Sequence, residues 1–124
     1  MPVAKVFIVD DDASVRQALD RLLRSAGMSV RTFAGSGELL ATMTAPPDCL
    51  ILDVRMPGMT GPQLQERLWA ESLHVPIVFI TAHDEALPVA NAASPETIAF
   101  LHKPFEDHAL LDAVQRGVAL RSAP

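Results

Sequence analysis

The sequence predicts an α/β domain built on one doubly wound, five-stranded parallel sheet. Strand-length apolar runs alternate five times with longer segments of helical spacing, the mark of repeated βα units. The first, third and fourth runs are nearly unbroken Val, Ile, Leu and Phe, as central strands covered on both faces should be. At 124 residues the chain has the length of a single domain able to bury its own core.

The expected strands are Lys5 to Val9, Ser29 to Phe33, Cys49 to Asp53, Val75 to Thr81 and Ile98 to Leu101. Between the first two, Ser14 to Ala26 places Val15, Ala18, Leu19, Leu22 and Leu23 on one helical stripe, which Gly27 ends. Ser36 is the expected N-cap of a short helix through about Met43, stopped before the third strand by Pro46 and Pro47. Leu64 and Leu68 mark a third helix. A fourth falls within Asp84 to Ala93, crowded by Pro88 and Pro95. Leu110, Leu111, Val114 and Val118 mark the last, entered through "EDH", where the helix dipole favours acidic residues. The closing "RSAP" reads as a frayed end.

Composition narrows the function classes. A hydrophobic fraction of 49% against 20% charged residues is that of a folded chain and excludes disorder. A net charge of −5 argues against direct binding to nucleic acid or anionic lipid. The single cysteine, Cys49, lies inside the apolar "CLILDV" and reads as core, so neither a disulfide framework nor a thiolate cluster is expected. No apolar stretch is long enough for a membrane span and no signal-peptide pattern precedes the first strand. The expectation is a soluble, cytoplasmic protein.

In an open parallel sheet ligands bind beyond the carboxyl ends of the strands, so the residue ending each strand is informative. The first strand ends in Asp10 and Asp11, the third in Asp53 and the fourth in Thr81, and the fifth runs into Lys103. With strand order 2-1-3-4-5 these five side chains meet in one crevice. Two carboxylates at about 4 Å repel by on the order of 4 kcal/mol at an effective dielectric near 20, so a cation is expected between them. Hard oxygen donors of high charge suit Mg²⁺, which keeps several waters and accepts phosphate oxygens. Lys103 could pair with a phosphoryl oxygen or with Asp53, and Thr81 could donate to another oxygen. Asp53, kept ionised beside these charges, could then attack phosphorus to give an aspartyl phosphate.

Four motifs, "VDDD", "ILDVRMPGMTG", "VFITAHD" and "FLHKPF", follow the first, third, fourth and fifth strands in order. Together they resemble the receiver domain of two-component response regulators over essentially the whole chain. The likeness is greatest to the FixJ-like branch, where "LRMP", "TGH" and "EKPF" are common at these places. The resemblance implies a flavodoxin-like (βα)5 fold, with residues 1–124 as one receiver domain and no output domain in the chain. It implies Asp53 as phosphoacceptor for a sensor histidine kinase. Asp10 and Asp11 would be the acidic pair that binds Mg²⁺, with the Arg55 carbonyl oxygen completing the metal shell. Thr81 would bind the phosphoryl group, Lys103 would be the family's lysine, and Phe100 the aromatic that swings inward on activation. It further implies a cis Lys103-Pro104 bond, a tuning of autodephosphorylation by Arg55 and His83, and control of a downstream output such as transcription. It allows a homodimer on phosphorylation.

The chain departs from the family pattern at "SPET", Ser94 to Thr97, where a "K-A-G-A" type turn is common, and at His102, where acidic or small residues are frequent. Plainer readings stand beside the functional ones. Asp12 is expected only to cap or charge the first helix. Asp10 and Asp11 could be caps too, Thr81 could merely end a strand, and Phe100 could be core. His74, His102 and His108 read as surface residues, and Trp69 as packing. The competing functions are a degenerate receiver acting as a phosphate-independent interaction module, and a flavodoxin-type binder or small phosphatase. "DDDAS" would repel a flavin phosphate, and Arg55 stands where such a phosphatase usually has its acid-base carboxylate.

Overall fold

A computed structural model of the chain describes residues 3–82 and 96–122. The expected helix within Asp84 to Ala93, together with His83 and Pro95, lies outside these residues. The described elements run β1 (Lys5–Val9), α1 (Ala13–Ser25), β2 (Ser29–Phe33), α2 (Ser36–Thr42), β3 (Cys49–Asp53), α3 (Gly61–Ala70), β4 (Ile77–Thr81), β5 (Thr97–His102) and α4 (Asp107–Ser122). All five strands are parallel, in the order β2-β1-β3-β4-β5.

Alternation of side chains along each strand builds two cores. On one face Phe7, Leu52 and Phe79 pack against Leu39 of α2 and Leu64 and Leu68 of α3. On the other, Ile8, Ile51 and Val78 pack against Leu19 and Leu23 of α1 and Leu110 and Val114 of α4. Each buried side chain of this size contributes roughly 1.5–3 kcal/mol relative to exposure, and β3 and β4 are buried along their whole length.

Local signals account for most boundaries. Asp12 caps α1, accepting from the Ser14 amide at 2.8 Å. Gly27, at φ +86°, ends that helix: its amide bonds the Arg24 carbonyl while the Met28 amide reaches back to Leu23. Thr60 and Gln63 form a reciprocal capping box at the start of α3.

Three expectations need correction. Gly35, not Ser36, is the N-cap of α2. The Ser36 hydroxyl donates instead to the Met59 carbonyl, and Glu38 reaches back to accept from the Ala34 amide just before the cap. β4 begins at Ile77 rather than Val75, because Pro76 has no amide to give the ladder. Trp69 is not packed away: it is 36% exposed on α3, its ring 6.3 Å from that of His74.

Candidate functional site

The carboxyl ends of β1, β3, β4 and β5 converge on one edge, as the strand order requires. Asp10 continues the β1 ladder, its amide bonded to the Phe33 carbonyl of β2. Its side chain is fully buried. One carboxylate oxygen accepts the Asp12 amide at 2.8 Å, and the other lies 3.0 Å from Lys103 Nζ. Arg16, one turn into α1, donates to the Asp10 backbone carbonyl at 2.7 Å and so braces the strand end.

Asp53 closes β3 opposite Ile80, 6% exposed, with an oxygen 3.9 Å from Lys103 Nζ. Asp10, Asp11 and Asp53 each offer a carboxylate oxygen, and these atoms lie within 4.8 Å of one another; Asp11 is the exposed member. Burial, and next the neighbouring Asp10 charge, push the Asp53 carboxyl up to about 7. Lys103 opposes this, Asp11 adds to it, and a hydrogen bond from the Arg55 amide relieves part of it. Three crowded hard-oxygen donors, one of them with its pKa raised first by burial and then by the neighbouring Asp10 charge, form a set that a divalent cation fits and would relieve.

Thr81 ends β4 fully buried, its hydroxyl making a long 3.5 Å bond to the Ala82 carbonyl. Such a bond is weak and leaves the hydroxyl available to a better acceptor. β5 places His102 opposite Thr81, and the Lys103 amide continues the ladder to the Thr81 carbonyl at 2.8 Å. The Lys103-Pro104 bond is cis. Phe100 is half-buried, its ring stacked on Phe79 at 4.9 Å and 11°. Arg55 itself is exposed. His74 and His108 lie on the surface, and His74 pairs with Glu96 at 3.0 Å.

The profile of the response regulator receiver domain matches residues 6–115. The chain belongs to that family. Nodulation protein W of Bradyrhizobium diazoefficiens is 44% identical over 112 residues, covering 90% of this receiver domain and 49% of that protein. Transcriptional regulatory protein TdiR of Thauera aromatica is 41% identical over 116 residues, 93% of the receiver domain and 51% of its own length. The chain thus spans about half the length of these relatives. Among solved structures, response regulator StyR superposes with a TM-score of 0.89 at 48% identity, covering 98% of this chain and 62% of that one. FixJ-N superposes at 0.84 with 29% identity over the whole of both chains, in keeping with the FixJ-like motifs.

Two contributors to the receiver-domain site escaped the motif reading. Arg16 carries a signal, a lone basic residue just inside the helix that follows the aspartates. Gly61 carries less: a Cβ there would stand 2.5 Å from the Asp53 carbonyl oxygen, and only the second glycine of "PGMTG" hints at it.

Proposed function

We propose that this receiver domain is a signalling switch in which the Asp53 carboxylate accepts a phosphoryl group from the phosphohistidine of a sensor histidine kinase. What supports the reading above all is the carboxylate cluster with one ammonium set against it: three acidic oxygens within 4.8 Å, and Lys103 Nζ reaching both Asp10 and Asp53. In the transfer an Asp53 oxygen forms the new P–O bond while the P–N bond to the donor imidazole breaks, its electron pair staying on that nitrogen.

Asp10, Asp11 and Asp53, with the Arg55 carbonyl oxygen, would hold Mg²⁺. When bound, the ion supplies charge neutralisation for the phosphoryl oxygens. Lys103 is placed to exchange part of its contact with Asp53 for a phosphoryl oxygen. The poorly bonded Thr81 hydroxyl donates to another, and Phe100 follows it, biasing a pre-existing equilibrium between two arrangements. The 124 residues are read as one receiver domain of a cytoplasmic protein, and transcription as the output, by analogy with regulators such as TdiR.

The test is intact mass after incubation with acetyl phosphate, with and without Mg²⁺, for the wild type and Asp53→Asn. The expected result is a Mg²⁺-dependent gain of one phosphoryl group that the variant lacks. A folded wild type that gains nothing overturns the reading and leaves the phosphate-independent interaction module in its place.

A further inference from the structure

Gln65 lies in α3, 1% exposed, on the face that packs against the sheet. Its amide nitrogen donates to the Thr97 hydroxyl, the first residue of β5, at 3.1 Å. Its amide oxygen is buried and has no hydrogen-bond partner among the described residues. An apolar side chain of the same length would fill this place as well but could not donate to Thr97, so the amide serves something other than packing.

What lies next to that bond is an irregularity in the sheet. Ile77 pairs with Thr97, but Val78 pairs with Ala99, so Ile98 is an extra residue in β5. Ile98 and Ala99 accordingly both pack on the α1 and α4 face, as two residues of a bulge do. Beyond the bulge the pairing is Phe79 with Phe100, Ile80 with Leu101 and Thr81 with His102. Without the extra residue, alternation would turn Phe100 to the opposite face, away from Phe79, and shift Lys103 relative to the strand ends. The other side of the bulge is closely fitted too: a Cβ on Gly117 of α4 would lie 3.0 Å from Cys49 Sγ and 3.5 Å from Ile98 Cγ1.

We propose that Gln65 is a positioning residue of the acceptor site. Its bond to Thr97 pins the β5 bulge, and the bulge sets the register that stacks Phe100 on Phe79 and delivers Lys103 to the carboxylates. The effect on phosphorylation rests on the function proposed above, whereas the effect on register does not.

The test uses Gln65→Leu, Thr97→Val and Thr97→Ser in isotope-labelled protein. It reads the nuclear Overhauser contacts between the Phe79 and Phe100 rings, those pairing Thr81 with His102, and the Mg²⁺-dependent rate of phosphorylation by acetyl phosphate. Gln65→Leu and Thr97→Val should weaken both sets of contacts, broaden the amides of residues 97–103 by exchange, and slow phosphorylation by about tenfold, as a misplaced charge does. Thr97→Ser, which keeps the acceptor, should behave as wild type in every readout. The proposal is overturned if Gln65→Leu keeps the contacts, or loses them at an unchanged rate. Should Gln65→Leu not fold, the same two results in Thr97→Val overturn it. A wild type that takes no phosphoryl group sinks the function and not the register, which the ring contacts still decide.

Discussion

Gly61 lies directly on the backbone of Asp53. The first residue of α3 donates its amide to the Val54 carbonyl at 3.0 Å, and a Cβ on it would approach the Asp53 carbonyl oxygen to 2.5 Å, closer than any real contact allows. The helix start and the strand end are therefore one rigid corner. Gly61→Ala should lower stability by about 1–3 kcal/mol, the usual cost of overpacking, and should slow phosphorylation through displacement of Asp53. Urea unfolding and intact mass measure the two effects. An alanine variant equal to wild type in both would mean that the corner yields freely.

The Asp53 carboxyl gives a pH dependence of definite sign. Its value rises from 3.8 to about 7 in the folded chain, chiefly through burial and then through Asp10. Between those values the folded state keeps a proton that the unfolded chain has released, so this group's stabilising contribution falls as pH rises from about 4 to 7. In EDTA, the stability of Asp53→Asn minus that of wild type should grow across this window, reaching at most about 4 kcal/mol at neutral pH. Unfolding of both proteins across pH gives the difference directly, and a flat difference would contradict the burial argument. Excess Mg²⁺ should stabilise wild type, by about 2.7 kcal/mol at a hundredfold excess over Kd, and should stabilise the asparagine variant less.

Lys103 and Asp10 form a part-buried ion pair whose carboxylate is wholly enclosed. Removing the ammonium leaves that charge unmatched. Lys103→Met should cost about 1–3 kcal/mol without divalent cation, less than a fully buried pair because Lys103 keeps some solvent contact. Asp10→Asn in the same chain should recover much of the loss. A double-mutant cycle by chemical denaturation reads the coupling, and additive effects would show that the pair contributes nothing.

Cys49 is fully enclosed, and burial pushes its thiol up to about 12. The thiolate is the reactive form. Native protein should therefore resist a thiol reagent such as DTNB at pH 8 and react at once in denaturant. Rapid native labelling would reveal local opening of β3 or α4.

Ser72 closes α3 in the left-handed region, at φ +60°, with its amide on the Trp69 carbonyl. A side chain there is strained by roughly 1–2 kcal/mol. Ser72→Gly should raise stability by about 0.5–1 kcal/mol once the greater freedom of unfolded glycine is subtracted. Thermal and urea unfolding would show it, and a loss of stability would mean that the serine makes a contact that outweighs the strain.

The strands and the polar residues that end them were legible because both are local signals. Unbroken runs such as Val6 to Val9 and Cys49 to Leu52 are buried on both faces as read, and Asp12 caps α1 as its position before a helical stripe implies. Of the boundaries that moved, the start of β4 yielded to Pro76, which has no amide to give, and the cap of α2 to Gly35, whose extended backbone takes that position. Ser36 stands inside the helix instead, its hydroxyl donating to the Met59 carbonyl 23 residues on.

The sequence by itself determined the alternation of strands and helices, and which acidic, hydroxyl and amino groups stand at strand ends, since periodicity and termination are properties of neighbours along the chain. Only the tertiary structure decided how those groups divide their work. Asp10 is enclosed against an ammonium 93 residues away while Asp11 stays exposed. Gly61 is pressed onto Asp53, and a single extra residue in β5 sets Phe100 on Phe79. Each of these depends on strand register and on helix-to-sheet approach, which are fixed by packing between segments far apart in sequence and leave no periodic trace in any one of them.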